Sequence, residues 1–247
     1  MNKKVIASLN DNFNIIEYED AFGNILRSLA SKEAIYSTTL TGKNKNKLYL
    51  PYYGLYNFPV QINPNIKNTL VLGAGCFAYP KFYISEYKDK CMDAVEIDKD
   101  IIDIAYKYFF LEDLYNEYDK NKKRLKIFNE DAYDFVNNNT KIYDNIFLDI
   151  FDNNEPIEKF LTDTFIKKII HVLSKKGIFS VNYIINEGKK DKYNKFINTL
   201  KNNFKYIDIL TINNDTFYKD GIGNVYILCS NYNYDIDIQD DKIKRVL

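Results

Sequence analysis

From about residue 49 onward, short apolar runs alternate with longer segments whose apolar residues recur at helical spacing. No other feature restricts the fold as strongly. Residues 69–72, 92–97, 125–128, 145–149 and 178–183 read as strands. Between the second and third, Ile101, Ile104, Ala105, Tyr108 and Phe109 follow the i, i+3, i+4, i+7, i+8 rule, with Asp98 placed to cap that helix. Phe160, Leu161, Phe165, Ile166, Ile169, Ile170 and Leu173 mark another helix, and Tyr193, Phe196, Ile197 and Leu200 a third. Strands separated by helices predict an α/β fold with a parallel sheet covered on both faces. The runs 206–212 and 225–229 have no helix between them and are joined through Asp220-Gly221-Ile222-Gly223, which predicts an antiparallel edge. The expected core is therefore a mainly parallel, seven-stranded sheet spanning residues 49–230.

Residues 1–48 differ. Runs at 14–19 and 34–40 are strand-like, with turn chemistry at Gly23-Asn24 and at 42–46, so a small β-rich unit is expected. Residues 231–247 read as a polar tail that frays. Lys+Arg and Asp+Glu are both 34, so the basic excess of a nucleic-acid binder is missing. The three cysteines, Cys76, Cys91 and Cys229, form no CxxC pair and suggest no metal. Their sparse use fits a cytoplasmic protein. The N-terminal apolar run is too short for a secretory signal, and no 18-residue apolar stretch suggests a membrane span.

Three features point to a nucleoside site. Gly73-Ala74-Gly75-Cys76-Phe77-Ala78 directly follows the first core strand, and glycines there let a ligand approach the backbone. Glu96, about 20 residues beyond Gly75, ends the next strand, where a carboxylate can accept from both ribose hydroxyls. Asp131-Ala132 follows the third strand, and an acid there can accept from an adenine amino group. Asp131 is equally well placed as a helix cap. The glycine run also fits the Gly-x-Gly-x-x-Ala pattern of NAD-binding folds. Here roughly 70 residues precede it and an antiparallel pair ends the sheet. That order looks like the S-adenosylmethionine fold.

Residues 13–230 resemble the spermidine synthase family and its spermidine-synthase-like relatives. The resemblance is carried by residues 63–75, Val95-Glu96-Ile97-Asp98, Asp131-Ala132, Tyr143-Asp144-Asn145-Ile146-Phe147-Leu148-Asp149, and residues 160–165 and 173–178. It implies a Rossmann-like class I methyltransferase fold in which Gly73 and Gly75 approach the cofactor, Glu96 holds the ribose, and Asp131 with Ala132 meets the adenine. It implies S-adenosylmethionine or its decarboxylated form as cofactor; no His-Cys-carboxylate cluster suggests a metal, so no metal is expected. Asp149 falls at the family's catalytic aspartate and Asp152 at its second, amine-binding one. An aliphatic amine has a pKa near ~10.4 and must lose a proton before it attacks a sulfonium carbon, which is work for an aspartate. The implied partner is a small-molecule acceptor such as an amine, and relatives of this kind form homodimers.

Two departures touch the acceptor half of this site. Cys76 stands where the family's glycine motif carries an aspartate. Pro51-Tyr52-Tyr53 aligns with an upstream segment whose glutamate is absent here. Each lost carboxylate removes a charge-assisted bond of about 1.5–3 kcal/mol to a polyamine cation. The reading favoured on this basis is a methyltransferase-like transferase with Asp149 orienting the acceptor. Alternatives are an aminopropyltransferase, a catalytically silent nucleoside-binding protein and an NAD-dependent oxidoreductase. Tyr52, Tyr53 and Tyr56 could line an acceptor pocket, although aromatic residues more often pack the core. His171, the single histidine, lies on a predicted helix without partners for chemistry.

Overall fold

The computed structural model describes residues 3–9, 13–32, 35–49, 53–152, 155–212, 218–236, 238 and 243–246. An N-terminal antiparallel meander comes first, in the order β1 (Lys4–Ser8), β2 (Asn14–Glu19), β3 (Ile25–Ala30) and β4 (Ile35–Leu40). Short helices α1 (Tyr53–Tyr56) and α2 (Phe58–Ile62) lead into the main sheet. Then follow β5 (Asn68–Leu72), α3 (Ala78–Glu86), β6 (Cys91–Val95), α4 (Lys99–Tyr108), α5 (Leu111–Tyr118), β7 (Leu125–Phe128), α6 (Ala132–Asn138) and β8 (Tyr143–Leu148). A two-stranded ribbon, β9 (Phe151–Asp152) and β10 (Glu155–Pro156), precedes α7 (Asp163–Val172), β11 (Leu173–Ile185), α8 (Lys190–Asn203) and β12 (Tyr206–Ile212). The chain ends with β13 (Tyr218–Lys219), β14 (Ile222–Ser230) and β15 (Ile243–Arg245).

The main sheet runs β15-β12-β14-β11-β8-β5-β6-β7, with β13 paired to β14. Strands β7, β6, β5, β8 and β11 are mutually parallel, whereas β14 lies antiparallel to both β11 and β12. The fold is therefore the predicted α/β sheet with its antiparallel edge, but wider than seven strands. The tail, predicted to fray, supplies β15, which pairs with β12 through Leu210↔Arg245 to Ile212↔Ile243. Tyr234, Ile236 and Ile238, spaced by two, pack on the core. That period-2 pattern is the signal hidden among the polar residues. The reading also missed β1, β3 and α5. In β3 the alternation is obscured by Arg27 and by Ser28, which is fully buried and shares a 2.8 Å hydrogen bond with Thr38 of β4.

Alternation along the strands divides the core between the two faces, as a covered sheet requires. Leu70, Leu72, Ile146, Leu148, Val225 and Ile227 join the layer under α6, α7 and α8, together with Phe165, Phe196 and Leu200. Val71, Phe147, Tyr226 and Leu228 face the opposite way, against Tyr83, Ile102 and Leu114. In α4 the buried residue of the first turn is Ile102, which the sequence pattern omits. Ile101, Ile104 and Tyr108 instead pack under the N-terminal sheet with Ile15, Leu29 and Cys76. The helix thus serves two apolar neighbours, which broadens its apolar stripe.

Polar contacts fasten the N-terminal sheet to this core. Arg27 bonds Glu17 at 2.5 Å and the Tyr108 carbonyl at 2.6 Å. Lys45 reaches Asp113 and Glu117 of α5 at 2.6 and 2.8 Å. Lys81 of α3 is fully buried and donates to Thr39 Oγ1 and the Lys45 carbonyl, both at 3.0 Å. Burial lowers its pKa to about 7.

Candidate active site

The C-terminal ends of β5, β6, β7 and β8 open into one cavity of about 730 Å³. That is where open α/β sheets bind ligands, and the volume suits a drug-sized molecule. The cavity brings together Gly73, Gly75, Glu96, Asp131, Ala132 and Asp149, six of the seven residues singled out from the sequence. The seventh, Asp152, is exposed on the β9–β10 ribbon and lies outside the cavity lining, although its neighbour Phe151 belongs to it. His171 is exposed in the last turn of α7, away from the cavity. Tyr52 lies outside the described residues.

The glycine turn is built by geometry that side chains disfavour. Gly73 has φ +86°, and a Cβ added there would sit 2.3 Å from the Asp149 carbonyl oxygen. Only glycine permits the turn to pass so close to the end of β8. Gly75 has φ +51° but open space at its Cβ position. Its N–H donates to Glu96 Oε2 at 2.9 Å, while the Asp98 N–H donates to Oε1 at 3.1 Å. A carboxylate offers about four lone-pair positions, so these bonds hold Glu96 in place and still leave it able to accept from a ligand. Burial raises the Glu96 pKa, and the backbone N–H groups of Asp98, Gly75 and Ile97 partly offset that.

Beyond Glu96, Ile97 lines the cavity while remaining 63% exposed. An apolar side chain at the mouth of a cavity offers a surface that a planar ligand group can cover. Its signal in the sequence was its place between Glu96 and Asp98. Asp131 caps α6, accepting from the Tyr133 N–H at 2.8 Å, and pairs with Lys159 at 2.6 Å. Burial pushes its pKa upward, but the Lys159 ammonium and the Tyr133 N–H outweigh that and hold the carboxyl below its ordinary range. Asp131 is thus a helix cap that also lines the site. Ala132, buried, begins α6 beside it.

Asp149 follows β8, and its N–H continues the parallel ladder to the Leu72 carbonyl at 2.9 Å. Asn182 of β11 donates from Nδ2 to Asp149 Oδ1 at 2.9 Å and to the Tyr56 hydroxyl at 3.0 Å. Asn224 of β14 donates to Asn182 Oδ1 at 3.2 Å, which fixes the orientation of that amide. Burial raises Asp149 to a pKa of about 6, while hydrogen bonds from Asn182 and Tyr56 pull the other way. The result is a carboxylate mostly ionised at neutral pH yet basic enough to accept a proton. Tyr56 lines the cavity and is also buried in the core beneath it. Asn182 was not anticipated. It shares its strand face with Ile178 and the buried Ser180, opposite to Phe179, Val181 and Tyr183, so the polar pair Ser180 and Asn182 alternating with those apolar residues reads as the outer face of a half-covered strand.

The remaining wall comes from the N-terminal sheet through Phe13, Leu29, Tyr36 and Ser37, together with Cys76. Cys76 is buried, and desolvation pushes its thiol up to about 12, so it carries no charge at neutral pH.

Residues 54–240 match the family model for the spermine/spermidine synthase domain. A polyamine aminopropyltransferase of Alkaliphilus metalliredigens is 28% identical over 144 residues, which are 58% of this chain and 47% of that protein. The chain spans about half the length of the curated relatives it matches. A probable spermidine synthase from Corynebacterium glutamicum superposes with a TM-score of 0.76 at 15% identity, over 97% of this chain and 85% of that one. Human methyltransferase-like protein 13, solved in complex with SAH, gives 0.59 at 20% identity, over 76% and 82% of the two chains. At these identities both structures speak for the fold. The matched domain covers most of the sequence, from the helix before the glycine turn to the strands beyond Asn182, and the chain belongs to the spermine/spermidine synthase family.

Proposed function

We propose that this chain is an aminopropyltransferase, which moves the aminopropyl group of decarboxylated S-adenosylmethionine to an amine. The family and the names of the curated relatives favour this alternative over the methyl-transfer reading preferred from sequence. The observation that carries it is the half-buried Asp149 carboxylate, hydrogen-bonded by Asn182 beside Tyr56 and opening into the same cavity as Glu96. The donor supplies an electrophilic carbon bound to a sulfonium sulfur. Glu96 would hold its ribose with its remaining acceptor capacity, and Ile97 would cover its base. Asp149 would receive the proton that the acceptor ammonium loses, leaving the nitrogen lone pair to attack; the carbon–sulfur pair then departs with sulfur. Asp152, exposed on the ribbon, would act from the rim.

The charges lining the cavity support the decarboxylated donor. Among the described lining residues Lys159 is the basic one, and it is paired with Asp131. A carboxylate on the donor would meet no unpaired cation there, whereas an aminopropyl ammonium would not need one. The test is release of methylthioadenosine from the decarboxylated donor in the presence of amines, with S-adenosylmethionine as comparator. Methylthioadenosine formation from the decarboxylated donor alone is expected. Demethylation of S-adenosylmethionine in its place would restore methyl transfer, and binding without turnover of either would leave a nucleoside-binding protein.

A further inference from the structure

Asp131 and Lys159 line the cavity as a joined pair. Lys159 Nζ donates to Asp131 Oδ2 at 2.6 Å, while Asp131 Oδ1 accepts from the Tyr133 N–H at 2.8 Å. A carboxylate has about four lone-pair positions and an ammonium three N–H donors. After this pairing the carboxylate can still accept and the ammonium can still donate. The cavity lining therefore presents an acceptor and a donor 2.6 Å apart. Both halves rest on one support. The Lys159 ammonium lies 5.0 Å from the centroid of the Phe160 ring. Phe160 packs on Phe165 and Tyr133 with centroids 5.1 and 6.5 Å away, and Tyr133 stacks on Phe165 at 5.5 Å. Tyr133 is the residue whose N–H holds Asp131, so this aromatic cluster ties the carboxylate to the ammonium. Ile97, Ala132 and Ile157 add apolar lining to the same cavity.

We infer that Lys159 is a base-reading residue: with Asp131 it forms a composite acceptor–donor pair that recognises the amino group and an adjacent ring nitrogen of adenine. This inference rests on the nucleoside donor of the proposed function. An adenine edge carries an amino donor beside a ring-nitrogen acceptor. A side-chain amide reads that edge with two bonds, because its oxygen accepts from the amino group while its nitrogen donates to the ring. Asp131 Oδ2 and Lys159 Nζ offer the same two functions from two residues. A carboxylate alone would accept from the amino group and leave the ring nitrogen without a donor. The pairing also suits an uncharged base. Each ion already has its counter-charge, so neither needs one from the ligand when the base displaces water.

The test is a calorimetric cycle on the full chain. The parent and Lys159→Met are each titrated with methylthioadenosine and with its 1-deaza and 7-deaza analogues, in which one or the other ring nitrogen beside the amino group becomes C–H. The Lys159 side chain is 45% exposed, and an ion pair so exposed contributes little to folding, so the variant keeps the fold. That exposure also places the lost bond at the low end of charge-assisted values, about tenfold in Kd. Lys159→Met is therefore expected to bind methylthioadenosine about tenfold more weakly than the parent. One deaza analogue is expected to lose about tenfold against methylthioadenosine with the parent and almost nothing with the variant, so the two changes are not additive. Equal losses with parent and variant, for both analogues, overturn the inference and leave the nucleoside reading standing. Tighter methylthioadenosine binding by the variant also overturns it, since Lys159 would then compete with the base for Asp131. No methylthioadenosine binding by the parent defeats the nucleoside reading and the inference together.

Discussion

Replacing Gly73 and Gly75 one at a time by alanine separates two roles that the sequence presents as one motif. At Gly73 two costs add. The left-handed backbone at φ +86° disfavours a side chain by roughly 1–2 kcal/mol. The new methyl also falls 2.3 Å from the Asp149 carbonyl oxygen and 2.8 Å from Ile150 Cγ1. The oxygen belongs to the backbone at the end of β8 and cannot swing away, so overpacking adds about 1–3 kcal/mol. Gly73→Ala should therefore lose about 2–5 kcal/mol, which for a chain of this size is roughly 5–15 °C in Tm. Gly75, at φ +51°, meets no atom within 4 Å, so the backbone cost of about 1–2 kcal/mol stands alone. Its Tm should fall by about 2–6 °C. Thermal unfolding of both variants, with methylthioadenosine affinity measured beside it, gives the comparison. Equal losses, or a larger loss at Gly75, would refute the argument that the first glycine exists to let β5 and β8 approach.

Other perturbations follow from the same geometry. Asp149→Asn should reduce kcat about 10²- to 10⁴-fold, and the parent's acid limb in kcat/KM should lie near the Asp149 pKa of about 6. The folded pKa lies above the ordinary 3.8, so ionisation costs stability: the penalty is absent below about pH 3.8, grows between the two values and is complete above about pH 6. Urea unfolding should show the Asn variant gaining on the parent, on the order of 2–3 kcal/mol, as pH rises from about 3.5 to 8; a pH-independent difference would contradict the raised pKa. Asn182→Ala removes a hydrogen bond to the ionised carboxylate, so the acid limb should move to higher pH, and an unmoved limb would show that Asn182 does not act through Asp149. Glu96→Gln places an amide donor against a backbone N–H group and should weaken methylthioadenosine binding about ten- to a hundredfold by calorimetry.

The cofactor half of the site is legible in the sequence because each of its parts is local. A glycine turn, the acid ending the next strand and the acid opening a helix are set by strand length and by caps, and parallel pairing carries them to one edge of the sheet. Asp149 is legible for the same reason, since it ends β8. The strand alternation that sorts Val71 and Phe147 to one face and Leu72 and Leu148 to the other is likewise written in neighbouring residues. The remainder depends on contacts between distant segments. Asn182 meets Asp149 because β11 lies beside β8 in register. Asn224 steadies Asn182 because β14 returns antiparallel from far along the chain. The tail becomes β15 because β12 presents a free edge to it. Asp131 acquires Lys159 from across a strand and a ribbon, which no spacing rule foretells. An uncharged stretch of cavity wall arises where the N-terminal sheet closes over the glycine loop, setting Phe13 and Tyr36 on the same cavity as Asp149. Local chemistry thus determined which groups the protein carries, while tertiary packing decided which of them are desolvated, which are paired and which face one another.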